Sequence, residues 1–196
     1  MPNLSFRRAG NGAALVLVHG YLGGSAMWTA QMARFSPFRD VICPDLAGFG
    51  DSAALTAPAG IEAHAQDVLA LLDGLEVEKF DLLGHSMGGM IVPEMVRLAP
   101  DRVGKLVLYG TGPQGVLPDR FETIAQSRAR LLQDGVAATA RRIAATWFRH
   151  GGQAGPLRCA MHLASGSAFR QRVQACKRGR VGMAAPTWKP LKVLRS

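Results

Sequence analysis

Ser86 is the residue of this sequence best placed to do chemistry, because of the residues around it. Gly84 and Gly88 stand two positions before and after it, the apolar run Phe80–Leu83 precedes it, and residues 87–99 have the spacing of an amphipathic helix. A serine in a strand-to-helix turn, with glycines that make room for a strained backbone of positive φ, is the nucleophile-elbow pattern. The sequence therefore predicts a nucleophile at Ser86, with a plain strand–helix turn as the alternative.

A second glycine-rich segment offers donors for the negative charge that develops on a substrate oxygen. The apolar run 14–18 leads into the segment His19–Gly24. Backbone N–H groups in such a loop can point into a pocket, and losing one donor of this kind costs about 2.7–4 kcal/mol of transition-state stabilisation. We expect the N–H groups of Tyr21 and of Met87, at the start of the helix after Ser86, to form an oxyanion hole.

Short apolar runs alternate with segments of helical spacing over the first 110 residues. The runs are Ala14–Val18, Asp40–Cys43, Phe80–Leu83 and Lys105–Tyr109, and the helical segments are 25–35, 61–73 and 87–99. This alternation predicts an α/β fold, a mostly parallel sheet with helices on both faces. We expect a short strand at Leu4–Arg8 with a turn into the next strand, a buried Cys43, and an Asp45 that bonds nearby backbone N–H groups.

Beyond Tyr109 the alternation between apolar runs and helical segments ends. Residues 119–132 and 135–149 have the spacing of two helices with no strand between them, so we expect a helical cap, starting near residue 118, that lies over the sheet. Residues 1–150 would form the core with its cap, and residues 151–196 a basic tail of uncertain structure. Four residues of the cap are candidates for lining an apolar pocket, with core packing as their alternative role: Phe121, Ile124, Trp147 and Phe148.

The excess of basic residues behind the net charge of +9 lies at the C-terminal end of the chain. Residues 1–134 carry 11 Lys and Arg and all 14 acidic residues, whereas residues 135–196 carry 12 Lys and Arg and no acid. The tail lacks the aromatic interleaving of a nucleic-acid module, so we expect no specific nucleic-acid partner. No apolar run reaches the ~20 residues that cross a membrane, and three cysteines without CxxC spacing argue against disulfides and zinc. We expect a cytoplasmic protein.

These motifs, in this order and spacing, resemble those of the α/β-hydrolase fold family, closest to its group of small esterases, lactonases and cofactor-free haloperoxidase-like enzymes, which includes the 3-oxoadipate enol-lactonase kind. A perhydrolase of the haloperoxidase type would use the same residues as an esterase. The resemblance covers about residues 4–150. It implies Ser86 as the nucleophile, supported by Gly20, Gly84 and Gly88, with no metal or organic cofactor. It also implies that His19 orients the oxyanion loop, and a serine at the elbow disfavours epoxide hydrolases and haloalkane dehalogenases, which use aspartate there.

The family places its catalytic acid and histidine late in the chain, after further strands. Here no acid follows Asp134 and no histidine follows His162. We interpret the C-terminal part as truncated or frameshifted, since out-of-frame reading of a GC-rich gene gives many Arg, Gly and Ala and few acids. An alternative triad would recruit His150 or His162 with Asp119 or Glu122. His85 is expected to be structural or to affect specificity, and His64 to lie at the surface.

The sequence thus predicts a serine hydrolase that acts on a small carboxylic ester or lactone through an acyl-serine intermediate. This enzyme would be nearly inactive if its catalytic acid and histidine are lost. The alternative is a catalytically inactive, hydrolase-like remnant or binding domain. The sequence gives no indication of the oligomeric state.

Overall fold

The computed structural model describes residues 3–112 and 123–145. Five strands form one sheet in the order β1-β3-β2-β4-β5. The strands are β1 (Phe6–Ala9), β2 (Ala14–Val18), β3 (Asp40–Pro44), β4 (Phe80–His85) and β5 (Val103–Tyr109). The α-helices are α1 (Thr29–Phe35), α2 (Ile61–Gly74), α3 (Gly88–Leu98) and α4 (Ile124–Ala145), with short 3₁₀ turns at Ser25–Trp28, Gly50–Ser52 and Pro100–Arg102.

The sheet is parallel except for β1, and helices pack on both of its faces. Along β2, Val16 and Val18 belong to the core shared with α2 and α3, whereas Leu17 packs with Trp28 and α1 on the other face. A strand buried on both faces needs apolar residues at every position, which is why its sequence does not alternate. The predicted α/β class and the predicted strands are confirmed.

Strand β1 departs from its expected pairing. The turn at residues 10–12 leads into β2, as predicted, but β1 pairs antiparallel with β3, with Phe6 opposite Pro44 and Ala9 opposite Val41. Strand β3 lies between β1 and β2, so the turn carries the chain past β3. Gly10 makes this crossing possible, because its φ is 89° and a methyl group there would lie 2.2 Å from the carbonyl oxygen of Arg39.

The predicted break between two helices after Tyr109 falls inside α4. Gly135 has φ 79° and ψ 178°, so two helical segments meet there at a kink. The placement of these helices over the sheet, the start of the cap near 118 and the division at residue 150 stay predictions. In the ranges that the structure describes, no helix is both long and apolar enough to cross a membrane.

Candidate active site

Ser86 occupies the turn between β4 and α3 in a strained conformation. Its φ is 53°, in the left-handed region that residues with a side chain rarely adopt. Its N–H donates to the carbonyl oxygen of Tyr109, at the end of β5, over 3.0 Å. A backbone outlier of this kind persists only where the surroundings impose it, and such outliers cluster at functional sites. The positive φ expected for an elbow is therefore present.

The glycines beside Ser86 are required by the backbone around them. A methyl group at Gly84 would lie 2.3 Å from the carbonyl oxygen of Gly88, and one at Gly88 would lie 2.3 Å from that of Val18. One at Gly89 would lie 2.6 Å from Cβ of Thr111. The sequence suggested a collision with the serine itself. Instead, the glycines allow the start of α3 to sit directly on the ends of β2 and β4.

The glycine-rich loop after β2 lies against the elbow. A methyl group at Gly20 would lie only 2.8 Å from Cβ of Ser86. The N–H of Gly23 donates to the carbonyl oxygen of Gly20 over 3.0 Å, closing a turn with Tyr21 and Leu22 at its centre. Leu22 is buried and has φ 61°, a strain that sequence reasoning missed because a leucine gives no signal for the left-handed conformation.

Met87 starts the helix on the other side of Ser86. It is the N-cap of α3, and its carbonyl oxygen accepts the N–H groups of Met90 and Ile91. N–H groups at a helix start have no acceptor within the helix, and the helix dipole favours negative charge there. Tyr21 and Met87 thus stand on segments that both adjoin Ser86. Their role as oxyanion donors stays a prediction.

His19 is buried at the end of β2 and uses both of its ring nitrogens. Nδ1 lies 2.8 Å from the carbonyl oxygen of Gly20, and Nε2 accepts the N–H of Leu46 over 3.0 Å. The second bond requires Nε2 to be unprotonated, so the ring is neutral with its proton on Nδ1. Burial lowers the pKa of His19 to about 4, consistent with that state. The ring therefore joins the loop after β2 to the loop after β3.

Asp45 makes a second connection between the same two loops. Its carboxylate is buried and accepts the N–H of Ser25 over 2.6 Å and the hydroxyl of Ser25 over 3.0 Å. Burial raises the pKa of Asp45, and the bonds from Ser25 counteract that effect. Asp45 was predicted to bond backbone N–H groups nearby, and it does: it accepts the N–H of Ser25, 20 residues away along the chain, and the backbone N–H of Asp51.

The other two histidines of the described ranges lie on β4 and α2. The ring of His85 is half-buried between Tyr109, at 5.3 Å between ring centres, and Trp28, at 6.5 Å. Burial lowers its pKa. His64 was expected at the surface, and this expectation is wrong: only 5% of it is exposed. Positions 61, 64, 65 and 68 share one helix face, so the spacing already placed His64 beside Ala65 and Val68.

Several predicted residues lie outside the described ranges. They are Asp119, Phe121, Glu122, Trp147, Phe148, His150 and His162, together with the whole basic tail. The alternative triad and the cap pocket are therefore untested. Within residues 3–112 and 123–145, no group of three or more His, Cys, Asp or Glu side chains is arranged to hold a metal ion.

When the chain is compared with known proteins, the matches indicate a single family. A family model described as alpha/beta hydrolase fold matches residues 13–150. Among curated proteins, an uncharacterised protein of Mycobacterium tuberculosis is 35% identical over 115 residues, which are 59% of this chain and 33% of that protein. The chain thus spans about a third of the length of the first curated relatives that it matches.

Two solved structures give the same architecture. A thermophilic esterase from Thermogutta terrifontis is 26% identical with a TM-score of 0.72, over 93% of this chain and 68% of that one. The enol-lactonase from Burkholderia xenovorans is 23% identical with a TM-score of 0.76, over 93% of this chain and 71% of that one. The likeness to the second is one of fold alone. The predicted resemblance is confirmed.

Proposed function

Because the chain belongs to the alpha/beta hydrolase fold family, we propose that it hydrolyses a small carboxylic ester or lactone through an acyl intermediate on Ser86. The observation that carries this proposal is the juxtaposition of two segments. Ser86 is held at φ 53°, and Gly20 approaches it so closely that a methyl group there would lie 2.8 Å from Cβ of Ser86. The ester class is supported by the similarity to the Thermogutta terrifontis protein, which is named a thermophilic esterase.

The reaction would begin with attack of Ser86 Oγ on the carbonyl carbon. A bond from Oγ to carbon forms, and the electron pair of the C=O bond moves onto oxygen, where the N–H groups of Tyr21 and Met87 stabilise it. Collapse of this tetrahedral intermediate breaks the bond between the carbonyl carbon and the leaving oxygen. The leaving oxygen takes a proton and departs as an alcohol or, in a lactone, stays attached to the acyl chain. Water then attacks the acyl-serine and releases the acid.

The attack needs a base that accepts the proton of Ser86, because a serine hydroxyl is a weak nucleophile at neutral pH. His19 does not meet this need, since Leu46 occupies its Nε2 and the carbonyl oxygen of Gly20 faces its Nδ1. The candidates outside the described residues are His150 and His162.

A second candidate function is ligand binding without turnover. It is favoured by one observation on two described histidines: His19 has both ring nitrogens occupied, and the buried Nδ1 of His85 has no hydrogen-bond partner. Loss of a triad histidine leaves rates only about 10³–10⁴ above the uncatalysed reaction. The two candidates therefore differ in turnover by several orders of magnitude.

Hydrolysis of p-nitrophenyl acetate, p-nitrophenyl butyrate and a simple aliphatic lactone tests the proposal on the full chain. We expect product release that Ser86→Ala abolishes and Ser36→Ala, a matched change at the end of α1, leaves unchanged. Equal rates for the wild type and Ser86→Ala would contradict the proposal. No turnover by a folded wild type that still binds an ester saturably would identify the binding function instead.

A further inference from the structure

The imidazole ring of His85 is enclosed by three segments that adjoin the elbow. Its centre lies 5.3 Å from that of the Tyr109 ring, at the end of β5, and 6.5 Å from that of Trp28, in the 3₁₀ turn before α1. A methyl group built at Gly20 would lie 3.2 Å from Nδ1 of His85, and one built at Gly110 would lie 3.4 Å from Cδ2. The ring thus fills the space between the loop after β2 and the end of β5.

Packing holds the ring in this place, and hydrogen bonding at Nδ1 does not. Nδ1 of His85 is buried and, among the residues that the structure describes, has no hydrogen-bond partner. Buried polar atoms are nearly always hydrogen-bonded, because an unpaired one loses its hydration without compensation. A buried nitrogen is also out of reach of a substrate at Ser86. We therefore expect His85 to act on the site through the shape of its ring.

The two segments that the ring separates both hold Ser86. The carbonyl oxygen of Tyr109 accepts the N–H of Ser86 over 3.0 Å. On the opposite side, the methyl group built at Gly20 would lie 2.8 Å from Cβ of Ser86 and 3.0 Å from the carbonyl oxygen of His85. Tyr21, which follows Gly20, carries one of the proposed oxyanion donors. The width of the ring therefore sets the distance between the loop of this donor and the carbonyl group that holds the elbow.

We propose that His85 is a positioning residue for the reaction at Ser86, with its ring as the spacer between the loop after β2 and the end of β5. This role rests on the proposed hydrolysis at Ser86. Attack on a carbonyl carbon needs the nucleophile and the oxyanion donors at fixed distances, and a displacement of about 1 Å can lower the rate about a hundredfold. Because Nδ1 is closed to the substrate, loss of the ring should lower kcat and leave KM nearly unchanged.

Steady-state hydrolysis of p-nitrophenyl butyrate by the full chain compares a variant that keeps a ring at position 85 with one that lacks it. We expect His85→Ala to lower kcat roughly tenfold to a hundredfold, with KM within about threefold of the wild-type value. His85→Phe keeps a ring without nitrogen atoms, so its kcat should stay within about threefold of the wild-type value. It should be at least as stable to urea, because the unpartnered Nδ1 is gone.

Phe35→Ala is the matched control. Phe35 is also a half-buried aromatic residue on the face of the sheet that carries Trp28, but it lies on α1, and its ring centre is 6.0 Å from that of Phe38. Its truncation should lower the stability to urea without lowering kcat. An equal loss of kcat in Phe35→Ala and His85→Ala would overturn the proposal, since general destabilisation would then explain both.

Exchange of the amide hydrogen of Ser86, measured by NMR, reports on the spacing without any turnover. We expect this hydrogen, which is bonded to the carbonyl oxygen of Tyr109, to exchange at least about tenfold faster in His85→Ala and at the wild-type rate in His85→Phe. His85→Leu takes the place of His85→Ala if the latter does not fold.

Two results would overturn the role of the ring as a spacer. One is a His85→Ala variant with wild-type kcat and wild-type exchange at Ser86, and the other is a His85→Phe variant as impaired as His85→Ala. A folded wild type without turnover would overturn the proposed function alone. Exchange at Ser86 would then decide whether the ring sets the spacing.

Discussion

Strand β4, which carries the elbow, has very different surroundings on its two sides. On the side of β2, an added methyl group would lie 2.8 Å from Cβ of Ser86 at Gly20 and 2.3 Å from the carbonyl oxygen of Val18 at Gly88. Toward β5, the neighbouring side chains Leu106, Val107 and Leu108 are 40–52% exposed. Ser86 is thus held from both sides: close backbone packing at Gly20 and Gly88 on the β2 side, and the carbonyl oxygen of Tyr109, which accepts its N–H, on the β5 side.

The largest expected effect comes from a substitution that disrupts the close packing on the β2 side of the elbow. Gly88→Ala would place a methyl group 2.3 Å from the carbonyl oxygen of Val18 and 2.7 Å from that of His19, so backbone must move. We expect a loss of about 4 kcal/mol in the free energy of unfolding, measured by urea denaturation. Gly74→Ala is the control, since nothing lies within 4 Å of the added group there; a similar loss in both variants would contradict the account.

A matched pair of leucines compares the two sides directly. Leu82 on β4 is fully buried, whereas Leu108 on β5 is 52% exposed. Leu82→Ala should lower the free energy of unfolding by about 3 kcal/mol, because it leaves a cavity, and Leu108→Ala by less than about 1 kcal/mol. The same denaturation experiment measures both. Equal losses would mean that β5 is covered in solution.

Acidification should lower the free energy of unfolding through His19, which lies at the end of β2. Its pKa is about 4 in the folded chain and about 6.5 in the unfolded chain. As the pH falls, the histidine of the unfolded state is therefore protonated at a higher pH than that of the folded state. Stability should therefore fall as the pH drops from 6.5 toward 4, by about 2 kcal/mol between pH 7 and pH 5. His85, whose pKa is also lowered, acts in the same direction, and Asp45, whose pKa is raised, acts in the opposite one.

The variant His19→Gln isolates this contribution. It should be less stable at pH 7, because the acceptor for Leu46 is changed, yet its stability should depend less on pH between 7 and 5 than that of the wild type. The slope of unfolding free energy against pH is the quantity to compare. An unchanged slope in His19→Gln would show that His19 is not the group that takes up the proton.

The strands and helices of the first 110 residues could be predicted from sequence, because their apolar patterns are strong and local. The elbow could also be predicted, since glycines at fixed spacing around Ser86 mark the turn, although the contacts that require them, such as that of Gly88 with Val18, are not local. The pairing of β1 with β3, the strain at Leu22 and the long-range bond from Asp45 to Ser25 could not. Each depends on segments that are distant in the chain and leave no periodic signal.

The most direct test of the central claim, that the fold holds Ser86 ready as a nucleophile, is the intact mass of the full chain after incubation with a fluorophosphonate probe. The account predicts one covalent adduct on the wild type, located at Ser86 by peptide mapping, and none on a folded Ser86→Ala variant. A folded wild type that stays unlabelled, or an adduct that persists in Ser86→Ala, would contradict it.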